Sequence, residues 1–297
     1  MRHCFADAYA KINIYLDVLG KRPDGYHELS MIMQSVSLRD VIAARRDTGV
    51  SGIRVCTNLE YLPSDDRNIA YKAANAFFEK SDIKNPDVLI SIEKKIPVAA
   101  GLAGGSADAA AALKALNTLY QTNYSIRELS EIGGSVGADV PFCVYGGTML
   151  AGGIGEKLIS LPALPDCFIL LVKPNFGMST SRVFKSLDID KTDRHGDINA
   201  AVDAIKRESL KDICSNMFNL LEQVVIREKP EIQKIKTRLD SSGALGSLMS
   251  GSGSTVFGVF DDEKTARKAF NTFKRVYRDT YLTRPISGDV SLPCTNI

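Results

Sequence analysis

An α+β fold in two parts is what this sequence predicts, and three observations point there. Residues 11–19 alternate apolar and polar side chains with a period of two, as in a strand buried on one face. Residues 167–172 form an unbroken apolar run, the pattern of a strand covered on both faces. Between them lies "PVAAGLAGGSADAAAAL", residues 97–113, where a glycine-rich loop becomes an alanine-rich helix. Strands and helices cluster without regular β-α-β alternation, which favours α+β over α/β. The 297 residues suffice for two domains. They are expected at 1–160 and 161–297, with the seam near 155–165.

In the first strand, Ile12, Ile14, Leu16 and Val18 should share one face, and Lys11, Asn13, Tyr15 and Asp17 the other. "RPDGYHEL" follows, with Asp24-Gly25 as a turn signal. Residues 29–38 and 40–46 read as two strands and 52–57 as another. A helix is expected over 68–78, then a strand through Val88, Ile90 and Ile92. The helix after the glycine loop should start near Ser106 and pack through Leu113, Leu116 and Tyr120. "SIRE", residues 125–128, is a capping box opening a short helix that stops at Gly133-Gly134. "SVGADVPFCVYGGTML" reads as a loop leading into strands. Further on, helices are expected at 179–187, 199–206 and 215–238, the last interrupted near Pro230. The strand "ALGSLM" leads through "SGSGST" to a strand over 256–260 and a helix over 263–273.

Composition narrows the function classes. A formal net charge of +2 argues against a general nucleic-acid binder, which needs a concentrated basic surface. The N-terminal stretch lacks a signal peptide's apolar core, and no apolar run is long enough to span a membrane, so a cytoplasmic location is expected. Six scattered cysteines (Cys4, Cys56, Cys143, Cys167, Cys214 and Cys294) form no C-x-x-C pair and read as free buried thiols. Three isolated histidines make no zinc site by spacing. A metal held mainly by phosphate oxygens would leave no such signature.

Chemistry concentrates in three blocks. The glycine loop matches neither a Walker loop nor a dinucleotide fingerprint. Tight packing alone would also use glycine and alanine, yet three glycines opening one helix suit a phosphate held on free backbone N–H groups. If Gly105 caps that helix, Asp108 is its third residue, with capping as its first role and metal binding as its second. "MSGSGSTVFGVF", residues 249–260, is a plain turn between strands unless it closes on the first glycine loop. Lys11 alone reads as a solvated lysine, and Asp139 in "GAD" as a turn or cap residue. Together they would serve phosphoryl transfer, a cation by the transferred group and a carboxylate by the attacking hydroxyl. A carboxylate paired with lysine stays ionised and is a weak base. Asp139 is therefore expected to orient the hydroxyl and accept its proton late.

In order and spacing, "AYAKINIYLDVLGKRPDGYHEL", "PVAAGLAGGSADAAAAL" and "LMSGSGSTVFGVF" resemble the three motifs of the GHMP kinase superfamily. The resemblance covers most of residues 7–260. "AKIN", "RPDGYHEL" and "GADVPF" resemble the branch that phosphorylates CDP-methylerythritol in the non-mevalonate isoprenoid pathway. It implies a ribosomal protein S5 domain 2-like N-terminal domain, a ferredoxin-like C-terminal domain and a site in the cleft between them. ATP and Mg²⁺ are implied cofactors, and a monomer or homodimer acting on a small molecule is implied. Pro97, Val98, Ala99, Ala100, Gly101, Leu102, Ala103, Gly104, Gly105 and Ser106 match the ATP phosphate loop, with Ser106 also a metal ligand. Asn68 and Lys94 match the adenine side, with Lys94 and Lys95 both open for the latter position. Lys11 and Asp139 match the catalytic pair, and Asn13 a ligand of the substrate hydroxyl. Tyr26, His27 and Phe184 match a cytidine pocket, where rings stack on the base and the imidazole reads its edge; core packing is the plain reading of each ring. Ala103 and Ser254 depart from the commonest family pattern but remain small. Other GHMP kinases, of mevalonate or homoserine type, and a non-catalytic nucleotide binder are the rivals.

Overall fold

The computed structural model describes residues 3–46, 52–84, 86–189 and 195–288. Two sheets carry the fold, and the α+β expectation is met. β1 (His3–Lys21) and β2 (His27–Arg46) form a long antiparallel hairpin at the centre of the first sheet. β3 (Ile53–Thr57) runs parallel to β4 (Val88–Glu93), which pairs with β2. Between them α1 (Ile69–Ser81) crosses over, capped by Asn68. α2 (Gly104–Tyr120) and α3 (Ile126–Gly134) follow. Both halves of the Ser125–Glu128 capping box form as the sequence predicts.

The segment read as a loop before Thr148 contains a further helix, α4 (Val140–Tyr145). Pro141 sits in its first turn, where a missing N–H costs nothing, so the proline did not exclude it. β5 (Thr148–Gly153) then pairs with β2, and β6 (Lys157–Ser160) with β5.

The second sheet begins with β7 (Phe168–Lys173). Helices α5 (Thr180–Ser186), α6 (Ile198–Lys206) and α7 (Leu210–Ser215) lead to a two-residue strand, β8 (Phe218–Asn219). β8 returns to the first sheet and pairs in parallel with β1. α8 (Leu220–Glu228) and α9 (Glu231–Ser241) precede β9 (Gly246–Met249) and β10 (Val256–Phe260). α10 (Glu263–Lys274) and β11 (Asp279–Thr283) complete an antiparallel sheet of order β11-β7-β10-β9.

Several expectations need correction. The 215–238 helix is three elements, because Asn219 caps a new helix and Pro230 opens another. Residues 29–38 and 40–46 are one strand. The skipped position, Arg39, lies within it, and the next residue, Asp40, is buried beside a lysine. β1 is half-buried only up to Tyr9; Ala10 through Val18 are all buried. A register shift between Asn13 and Tyr15 also splits the predicted apolar face. Ile12, Ile14 and Tyr15 join the core beneath α1 and α2, whereas Leu16 and Val18 join a second core with Leu221 and Val225. Among the cysteines, Cys4, Cys167 and Cys214 are buried but Cys56 is exposed, and Cys294 lies outside the described residues. No helix among the described residues is long and apolar enough to cross a membrane.

Candidate active site

The glycine loop runs from the end of β4 into α2. The helix starts two residues earlier than expected, at Gly104, and its cap is Ala103 in a left-handed conformation. Ala103 offers no side-chain acceptor, so the first N–H groups of the 17-residue helix are left for an anion. Asp108 is therefore not a capping residue.

A second loop, residues 250–255, presses on the first. Ser250 Oγ donates to Gly101 O at 2.8 Å, and Thr255 N donates to Ala100 O at 3.1 Å. Gly101 has φ +75°, and a Cβ there would lie 2.2 Å from Ser250 O. Only glycine fits this contact. The loop is fixed from behind by a residue that sequence reasoning missed. Asn219 Nδ2 donates to Met249 O at 2.7 Å and to Gly251 O at 2.8 Å, while its Oδ1 caps α8. The cap signal was present, an asparagine three residues before Glu222.

The loops border a cleft of about 580 Å³, and every residue from Pro97 to Ser106 lines it. Lys11 and Asp139 meet there. Lys11 Nζ donates to Asn13 Oδ1 at 2.6 Å and lies 3.7 Å from Asp139 Oδ2. Three backbone facts hold this trio. Lys11 N donates to Leu102 O of the glycine loop, Asn13 N donates to Ser250 Oγ, and Asp139 immediately precedes α4. The Asp139 side chain makes no bond to that helix, which leaves its carboxylate for other work.

Close to the start of α2, Lys94 is buried between two carboxylates, 2.5 Å from Asp40 Oδ2 and 2.7 Å from Asp108 Oδ2. Lys95 instead faces solvent beside Glu93, so only Lys94 lines the cleft. Burial pushes the Asp108 carboxyl up to about 8, against the pull of Lys94 and with the push of Asp40. Burial works against the Lys94 ammonium, but Asp108 and Asp40 outweigh it and hold its pKa above the ordinary lysine value. Asp108 Oδ1 is buried without a partner. Neither aspartate was assigned this partnership from sequence, since nothing local joins residues 40, 94 and 108. Asn68 also lines the cleft, with both ends of its amide engaged by Ala70 N and Pro63 O.

His27, which is not itself part of the cleft lining, stacks on Phe184 with ring centroids 5.1 Å apart and planes at 30°. Phe184 lines the cleft; Tyr26 does not, and stands 61% exposed at the turn before β2. Burial, helped by the Lys21 charge, lowers the His27 pKa and so favours the neutral ring.

Sequence comparison bears directly on this cleft. The description "GHMP kinases N terminal domain" matches residues 68–147 and "GHMP kinases C terminal" matches 201–279. This chain belongs to the GHMP kinase family. Kinases of this family use ATP on small molecules, and the two-part α+β architecture, S5 domain 2-like then ferredoxin-like, is theirs. A 4-diphosphocytidyl-2-C-methyl-D-erythritol kinase of Clostridium botulinum (strain Eklund 17B / Type B) is 48% identical, over 94% of this kinase and 99% of its own length. One from Clostridium novyi (strain NT) is 47% identical, over 95% and 100%. A crystal structure of 4-(cytidine 5'-diphospho)-2C-methyl-D-erythritol kinase superposes with a TM-score of 0.81 at 32% identity, covering 96% of this chain and 100% of that one. Homoserine kinase from Cytophaga hutchinsonii shares the fold, with a TM-score of 0.78 at 19% identity over 97% and 96% of the two chains.

Proposed function

We propose that this GHMP kinase transfers the γ-phosphoryl group of ATP to the 2-hydroxyl of 4-diphosphocytidyl-2-C-methyl-D-erythritol, in the non-mevalonate isoprenoid pathway. The observation that carries the reading is the convergence of Lys11, Asn13 and Asp139 beside the glycine loop, in a cleft that Phe184 also lines. Residues 1–160 are assigned as the ATP-binding domain and 161–297 as the second domain.

Each residue has a physical task. The N–H groups of Gly101, Gly104, Gly105 and Ser106 cradle the phosphates at the start of α2. Asn68 and Lys94 border the base end. Lys11 stands where negative charge accumulates on the transferred group. Asn13 holds the attacking hydroxyl by its amide, and Asp139 orients that hydroxyl and takes its proton as the loose transition state forms. Phe184, His27 and the exposed Tyr26 receive the cytosine ring.

No cluster of three or more His, Cys, Asp or Glu fit for a metal occurs among the described residues. A Mg²⁺ ion would be held chiefly through phosphate oxygens, with the Ser106 hydroxyl, which lines the cleft at the start of α2, as its protein ligand. Such an ion would neutralise charge on the phosphate chain. The test offers CDP-methylerythritol, mevalonate and homoserine side by side and follows ADP release. ADP release with the cytidylyl substrate alone is expected; turnover of mevalonate or homoserine instead would overturn the acceptor assignment.

A further inference from the structure

Glu28 is the second residue of β2, at the foot of the exposed turn that carries Tyr26. Its two carboxylate oxygens have different partners. Oε2 accepts from Arg22 Nη1 at 2.9 Å, and Oε1 accepts from the backbone N–H of Gly153 at 3.2 Å. Arg22 also donates through Nε to both oxygens of Asp24, at 3.0 and 3.3 Å. Asp24 Oδ1 in turn accepts the Tyr26 N–H at 3.1 Å. One series of charge-assisted bonds therefore runs from the end of β5, through Glu28 and Arg22, to the backbone beside His27. Ile154, next to Gly153, lines the cleft.

We propose that Glu28 is a positioning residue for the acceptor's cytidine end: with Arg22 it fixes where Tyr26 and His27 stand relative to Phe184. The inference rests on the acceptor reading above. Its physical basis is the shape of the turn. The turn is closed by backbone bonds, Arg22 N to Tyr26 O and Gly25 N to Arg22 O, that hold it together internally. The backbone ladder reaches the β5 end at the pair Leu29 and Gly153, and the Glu28 carboxylate extends that connection by a side chain to Arg22 of the turn. A flat base seated among rings loses contact when one ring shifts by about 1 Å. The Arg22–Glu28 pair is partly exposed, with side chains 32% and 38% accessible, so it contributes little to stability. Its effect belongs in substrate affinity.

The test measures steady-state kinetics and melting temperature for Glu28→Ala, Glu28→Gln, Arg22→Ala and the Arg22→Ala/Glu28→Ala double variant. Glu28→Ala should raise KM for CDP-methylerythritol about five-fold, leaving kcat and KM for ATP within about two-fold and Tm within about 2 °C. Glu28→Gln, which keeps one acceptor, should fall between. The double variant should be no worse than Glu28→Ala, because the links act in series. An unchanged KM in Glu28→Ala, an equal rise for both substrates, or additive single effects would each overturn the positioning role. Failure of the unmutated enzyme to use CDP-methylerythritol would overturn the acceptor reading instead.

Discussion

The Lys11 ammonium lies 3.7 Å from an Asp139 carboxylate oxygen, although one side chain sits on β1 and the other just before α4. A lone lysine and a lone aspartate carry no signal by themselves, but this pairing beside the glycine loop makes both accountable to kinetics. Asp139→Asn and Lys11→Met should each lower kcat by about 10²–10⁴ while ATP still raises the melting temperature. Near-normal turnover in Asp139→Asn would remove its assigned role.

The contact between the two glycine loops makes a separate prediction. A methyl at Gly101 meets the Ser250 carbonyl at 2.2 Å and the Gly253 carbonyl at 3.0 Å, at a φ of +75°. Gly101→Ala should therefore weaken ATP binding at least about ten-fold by displacing one loop from the other. Isothermal titration with ATP checks this, and unaltered affinity would mean that the loops move apart at no cost.

Lys94→Met should be among the most destabilising single changes, about 3–5 kcal/mol in urea unfolding, because it leaves Asp40 and Asp108 buried without their cation. Asp108 also sets a pH dependence. Its folded pKa, about 8, stands above the ordinary 3.8, so its contribution is full below 3.8 and is lost as pH rises through about 8. Asp108→Asn should flatten the fall in stability between these limits. An unchanged profile of unfolding free energy against pH would show that Asp108 is ionised throughout.

His27 supplies the acid-side prediction. Its pKa is lowered, chiefly by burial, which extends the neutral ring to more acidic pH than an ordinary histidine. Protonation then costs binding and, by linkage, stability as pH falls through the folded value. KM for the cytidylyl acceptor should rise as the buffer is made acidic. That rise should vanish in His27→Asn. A KM that does not respond to acid, or an equal rise in His27→Asn, would contradict the assignment.

What local sequence could reveal was local physics. The Ser125 capping box, the strand Val256–Phe260 and the glycine-to-alanine transition were all readable because each is a short-range pattern. The glycine loop, Lys11 and Asn13 stood out through two blocks in order, and Asp139 through the separate stretch "GADVPF"; the structure brings the three side chains together. Lys94 was placed on the cleft, but its two aspartates were not, since that cluster joins β2, the end of β4 and α2. β8 escaped notice because two residues show no periodicity. The split face of β1 followed from a bulge, which shifts side chains across the sheet without changing composition.

β8 also determines how the polypeptide can be cut. Phe218 and Asn219 stand alongside Tyr15 and Leu16, so residues from the later part of the chain cover the outer side of β1. A fragment ending at residue 160 would lack them and expose main-chain donors and acceptors next to the most apolar stretch of that strand. Expressed alone, such a fragment should self-associate. The halves are stitched together at β1, and a split version of the protein would have to supply residues 218–219 in trans before its first sheet is whole.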